Sequence, residues 1–221
     1  MVTVHHLNNS RSQRVLWLLE ELGVPYEVQR YERDPKSMLA PPTLLAVHPL
    51  GKSPVITDGS LSVAESGAIV EYLVETYGNG RLIPPAGTPD RLRYTYWLHY
   101  AEGSAMPPLL VKLIFERIKT TPMPWPVSAM ARRVADGVLS AFVEPNLVRH
   151  LDFMESELAG RAWFAGVEFT AADIQMSFPL EAAAKRAGLN SSRPRLIEWL
   201  ARIHARDAYQ RALVRGGPYD F

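Results

Sequence analysis

The hydrophobic pattern of this chain changes character once, at a run of prolines and glycines spanning residues 81–90, and that change limits the folds open to it. Before the run, short extended segments alternate with helical ones. Val2–Leu7 reads as a strand, and 10–22 as a helix with Val15, Leu18, Leu19 and Leu22 on one face, closed by Gly23 and Pro25. Tyr26–Tyr31 is a second strand. Because a helix separates it from the first, the two are expected to pair in parallel, as in a βαβ unit. An irregular stretch with Pro35, Pro41, Pro42 and Pro49 leads to two short segments, 55–57 and 61–63, around Asp58-Gly59, which is a hairpin signal. Ile69, Tyr72, Leu73 and Thr76 then restore helical spacing up to Gly78-Asn79-Gly80.

After the run no hairpin signal recurs. Residues 91–119, 127–158, 171–187 and 194–213 all read as helix, with Pro107-Pro108 expected to kink the first. The expected organisation is an α/β domain over 1–80, a linker over 81–90 and an all-helical domain over 91–221.

A length of 221 residues with 47% hydrophobic content suffices for a buried core. The 24 basic and 23 acidic residues leave a net charge of +1, too balanced for the basic face that non-specific nucleic-acid binding needs. There is no cysteine, so disulfides, a protein thiol nucleophile and thiolate metal sites are excluded, and any sulfur chemistry uses a thiol brought by a ligand. His5, His6, His48, His150 and His204 lack metal-ligand spacing, so no metal is expected. No apolar run approaches the roughly 20 residues of a membrane span, and the start has no basic segment leading into an apolar one. A cytoplasmic protein with no membrane partner is expected.

Three polar segments stand where this element order would gather them at one edge of a sheet. Asn9-Ser10-Arg11-Ser12 lies between the first strand and the first helix, where backbone N–H groups and the helix dipole favour an anion such as a thiolate. Making a thiol of pKa about 8.5 mostly ionised near neutrality takes about 2.7 kcal/mol, within reach of one or two hydrogen bonds to the charged sulfur. Ser10-x-x-Gln13 is also a capping-box pattern that would explain Ser10 without a ligand. Ser53-Pro54 precedes a strand, and a cis bond there would turn the Ser53 backbone outward to pair with an extended peptide; an ordinary loop proline is the alternative. Lys52 beside it suits a ligand carboxylate. Glu65-Ser66 opens a helix and suits the ammonium and carboxylate of an amino-acid head group, while Ser62-x-x-Glu65 is a second capping-box pattern.

The order and spacing of these segments resemble the cytosolic glutathione S-transferase superfamily. The likeness rests on residues 6–22, Ala40-Pro41-Pro42, 48–54 and Ala64-Glu65-Ser66-Gly67, which are similar to a bacterial and fungal branch with an Asn-Ser-Arg-Ser segment after the first strand. Over the helical part it rests on layout and on Phe169-Thr170-Ala171-Ala172-Asp173, which also reads as a helix-capping box. The resemblance implies a thioredoxin-like N-terminal domain, an all-α C-terminal domain and glutathione as co-substrate without a metal. It implies the glutathione cysteine backbone on Ser53 ahead of a cis Pro54, the γ-glutamyl carboxylate on Glu65 and Ser66, and Lys52 near the glycine end.

Members of the superfamily activate the thiol just after the first strand. There this chain offers Ser10 first and Asn9 second, with Ser12 a helix-start residue near the ligand. The expected activity is transfer of an alkyl or aryl group from a small apolar electrophile to the glutathione sulfur, with peroxide reduction as a neighbouring reaction. The acceptor is expected against His99, Tyr100, Met106 and Trp125, and a homodimer is implied. A glutathione-binding protein with little turnover and a glutathione-dependent isomerase or dehalogenase are the rival readings.

Overall fold

A computed structural model describes residues 1–34, 37, 39–217 and 219. Four strands form one mixed sheet in the order β2-β1-β3-β4: β1 Val2–Leu7, β2 Tyr26–Tyr31, β3 Val55–Asp58 and β4 Leu61–Ala64. β1 pairs in parallel with β2 and antiparallel with β3, which pairs antiparallel with β4. With a neighbour on each side, β1 is buried along nearly its whole length, His5 and His6 included, so its burial does not alternate. The expected parallel pair and hairpin are both present. The hairpin loop is Gly59-Ser60, one residue later than the sequence suggested, because Asp58 pairs with Leu61 and accepts hydrogen bonds from Tyr72 and Tyr77.

Helix α1, Ser12–Leu22, crosses from β1 to β2 and ends at Gly23, whose φ of 68° places it in the left-handed region that favours glycine. A short α2, Pro42–Leu45, occupies the stretch read as irregular. α3, Ser66–Tyr77, packs beside α1.

All remaining elements are helical. The first is α4, Pro89–Tyr100, with Thr88 capping it by accepting from Arg91 N–H. α5, Met106–Thr120, and α6, Val127–Val138, follow, then α7, Glu144–Glu157. The expected kink at Pro107-Pro108 is met one turn earlier by a π-helical turn at Ala101–Ala105, and a second such turn at Leu139–Val143 precedes Pro145, splitting the helix expected over 127–158. In both places the wider turn stands next to a proline that cannot donate.

α8, Ala171–Arg186, is buried from Ala171 through Ala183 and forms the centre of the helical part. The capping box expected there is present, with Thr170 and Asp173 bonding reciprocally. The last expected helix is two, α9 Pro194–His204 and α10 Asp207–Gly216. The break turns α10 back onto α1, where Arg206 pairs with Glu21 and Arg211 with Glu20. No described helix is long and apolar enough to cross a membrane.

Candidate ligand-binding cleft

Arg11 just ahead of α1, the turn before β3, the start of α3 and Glu102 of the first π-helical turn meet at a cleft of about 220 Å³. Its lining includes Lys52, Ser53, Pro54, Glu65 and Ser66, together with Arg11 and Glu102. The Ser53-Pro54 peptide bond is cis. Ser53 is fixed by its side chain: Oγ donates to His5 C=O at 3.0 Å and accepts from Leu7 N–H at 3.4 Å. Among the described residues no hydrogen bond uses its backbone N–H or C=O, so both are open to a ligand.

Glu65 enters α3 at φ 72°, in a region that costs a residue with a Cβ about 1–3 kcal/mol. Neither capping-box alternative forms. Glu65 makes no side-chain cap bond, Ser62 lies within β4, and α1 starts at Ser12 with both Gln13 amide atoms buried and without a partner among the described residues. Ser66, the first residue of α3 and 5% exposed, accepts from Arg14 Nη2 at 3.0 Å.

Arg14 ties the two halves of the molecule together. Its side chain is buried; it donates to Gln175 C=O in α8 and to Glu102 in the first π-helical turn. Arg11 donates from Nε to both Glu102 oxygens, at 3.1 and 3.0 Å. The Phe178 ring lies under both guanidiniums, 5.1 Å from that of Arg11 and 5.4 Å from that of Arg14. Burial would raise the Glu102 carboxyl pKa, but the two guanidiniums outweigh it and hold the group below its ordinary value. The cleft thus carries a cationic wall at Arg11 and Lys52 and carboxylates at Glu65 and Glu102, a layout suited to a zwitterion with more than one carboxylate.

Ser10 and Ser12 stand behind this wall. Ser10, 4% exposed, has its Oγ 2.8 Å from Ser12 Oγ and 3.4 Å from Ser53 Oγ, and accepts from Ser12 N–H. Ser12 is fully buried against His6 Nδ1 at 2.8 Å. Burial and the nearby Arg30 charge lower the His6 pKa to about 4, so the imidazole is neutral at pH 7. Asn9 is exposed, with φ 48°.

The four residues expected around the acceptor are not brought together at this cleft. Tyr100 is in the aromatic core beside Trp97 and Phe153, its hydroxyl on His150 Nδ1 at 2.5 Å; Met106 is buried; His99 is exposed; and Trp125 is 83% exposed between α5 and α6. Sequence reasoning missed Arg11, Arg14 and Glu102 as a cluster. The available signal was a pair of arginines three apart at the start of an otherwise apolar helix.

The fold and cleft define a thioredoxin-like module joined to a helical domain, with a polar site where the two meet. Residues 1–75 match the family model "Glutathione S-transferase, N-terminal domain", and residues 129–202 match "Glutathione S-transferase, C-terminal domain". Glutathione S-transferase 1 of Saccharomyces cerevisiae is 34% identical over 95% of this chain and 92% of its own length. Glutathione S-transferase 3 of Schizosaccharomyces pombe is 37% identical over 84% and 75%. A crystal structure of a glutathione S-transferase from Actinobacillus pleuropneumoniae superposes with a TM-score of 0.79 at 29% identity, covering 98% of this chain and 93% of that one. The chain belongs to the glutathione S-transferase family.

Proposed function

We propose that this protein binds glutathione in the cleft, ionises its thiol and joins the thiolate sulfur, still part of glutathione, to the carbon of a small apolar electrophile. The carrying observation is the convergence of Ser53 before a cis Pro54, the Glu65-Ser66 helix start and the Arg11 guanidinium on one cleft of about 220 Å³. The free Ser53 N–H and C=O pair with the cysteine backbone as an added strand would. Ser66 at the α3 N-terminus takes the γ-glutamyl carboxylate and Glu65 its ammonium, Lys52 faces the glycine end, and Arg11, joined to Ser66 through Glu102 and Arg14, stands at the γ-glutamyl end. Two of the relatives at 34% and 37% identity are fungal, which supports placing the chain with the fungal and bacterial members that carry a polar 9–12 segment.

Thiolate stabilisation falls to Ser10, then Asn9. The Ser10 hydroxyl proton has alternative acceptors in Ser12 Oγ and Ser53 Oγ, so it can turn to a sulfur at Ser53 without leaving a buried group unpaired. In the transfer step a lone pair on sulfur forms the new bond to carbon, the leaving group departs with its bonding pair, and the thiol proton has already passed to solvent. Peroxide reduction begins with the same thiolate attacking an O–O bond.

Activity with a chlorinated dinitrobenzene and glutathione tests the reading. Turnover that requires glutathione supports it; glutathione binding without turnover toward that acceptor or cumene hydroperoxide would favour the binding-protein reading. A homodimer, with the sheet domain of one copy facing the helical domain of the other, is part of the same proposal, as is a cytoplasmic location. The exposed apolar residues Leu110, Leu113 and Ile114 on α5 and Met130 and Val134 on α6 support the dimer, and light scattering should return about twice 24.8 kDa.

A further inference from the structure

Helix α8 carries a proline in its interior, Pro179, within the run buried from Ala171 through Ala183. A proline has no N–H, so the carbonyl four residues before it, that of Gln175, has no donor inside the helix. A buried carbonyl without a partner is costly, and this one is paired from outside. Arg14 of α1 donates to it from Nη1 at 2.5 Å. Next to the proline stands Phe178, 8% exposed, with its ring 5.4 Å from the Arg14 guanidinium and 5.1 Å from that of Arg11. At so dry a position the attraction of a ring face for a cation is at the strong end of its range.

Two adjacent residues of the helical domain therefore seat a guanidinium of the sheet domain. Arg14 is buried, so its charge depends on the carbonyl, the ring and Glu102 around it. Held there, its Nη2 lies 3.0 Å from Ser66 Oγ at the first turn of α3. A regular helix would offer Arg14 no carbonyl at this place, because an N–H at 179 would already occupy it.

We propose that Pro179 and Phe178 are positioning residues for the γ-glutamyl end of glutathione, acting through Arg14 on Ser66; this rests on the glutathione reading above. Pro179 frees the Gln175 carbonyl, and Phe178 fixes the planes of both guanidiniums. Stability and binding should then part company at residue 179. Pro179→Ala restores an N–H that closes the helix onto Gln175 C=O, so the chain should melt no lower than the wild type while it holds glutathione less well.

Calorimetry on the full chain compares glutathione with 4-aminobutanoyl-cysteinylglycine, which lacks only the γ-glutamyl carboxylate. The wild type should prefer glutathione about tenfold, the worth of one charge-assisted hydrogen bond. Pro179→Ala should cut that preference about fivefold, the worth of a neutral hydrogen bond. Phe178→Leu should cut it by about as much, and Phe178→Tyr, which keeps a ring under the guanidiniums, should retain it. A preference unchanged in both Pro179→Ala and Phe178→Leu would overturn the proposal while leaving glutathione binding intact. So would a loss in Phe178→Tyr equal to that in Phe178→Leu, or a Pro179→Ala chain that melts well below the wild type. A wild type that binds neither peptide would overturn the glutathione reading itself, and this inference with it.

Discussion

At the scale of single residues, Ser10 and Glu102 are the two positions on which most of the proposed chemistry turns. Ser10 has one mobile proton beside Ser53, so Ser10→Ala should raise the pKa of bound glutathione by about 1 unit or more, the worth of one hydrogen bond to a charged sulfur. Asn9→Ala should move it less. Ultraviolet titration of the thiolate reads both, and no change in either variant would remove the assignment. Glu102 is about one-third exposed, yet it is the carboxylate partner of both Arg14, which is buried, and Arg11 at the cleft. Glu102→Gln should therefore cost about 2 kcal/mol, below the range for a fully buried pair because solvent screens part of the loss. It should also raise the KM for glutathione more than it lowers kcat, because the arginines bind and position but do not touch the reacting atoms.

Among the elements, α8 concentrates the stability of the helical part at its first turn. Asp173 is fully buried and accepts from Phe164 N–H, Thr170 N–H, Thr170 Oγ and Trp199 Nε1. Burial raises its pKa to about 6 in spite of those donors. Asp173→Ala strands four donors and should destabilise the protein by about 3 kcal/mol, a drop in melting temperature of roughly 6–12 °C for a chain of this length. This element was legible in the sequence because its cap is local: Thr170 and Asp173 are three residues apart. The four strands, the parallel β1–β2 pair and the β3–β4 hairpin were legible for the same reason, since periodicity and turn residues are local signals; the cis Ser53-Pro54 bond was one of two readings open on the residues alone, favoured by the family resemblance, and the β1–β3 pairing had no local signal. What was not legible depends on distant partners. Glu102 meets Arg11 across 91 positions, and Tyr100 and Met106 are core because α4 and α5 face other helices, which helical spacing alone does not show. The break between α9 and α10 follows from packing against α1, with no proline or glycine at 205–206 to mark it.

For the whole molecule, two buried groups set opposite acid responses. His6 has a folded pKa of about 4 against an ordinary 6.5, so its contribution is fully present above pH 6.5 and is lost as pH falls toward 4. Asp173, raised to about 6 from 3.8, contributes fully below about pH 3.8 and loses that contribution as pH rises through 6. Comparing the wild type with His6→Asn isolates the first: the stability difference between them should shrink by about 2–3 kcal/mol from pH 6.5 to 4 in urea melts, and a constant difference would refute the neutral buried imidazole. Glutathione binding rests on one cleft, built by Arg11 ahead of α1, the turn before β3, the start of α3 and Glu102. Calorimetric titration of glutathione into the wild type, Ser66→Ala and Arg11→Ala tests it most directly. One glutathione per chain is expected, with a Kd below about 1 mM and roughly tenfold weaker binding in each variant. Absence of binding by the wild type up to about 10 mM, or equal affinity in all three proteins, would contradict it.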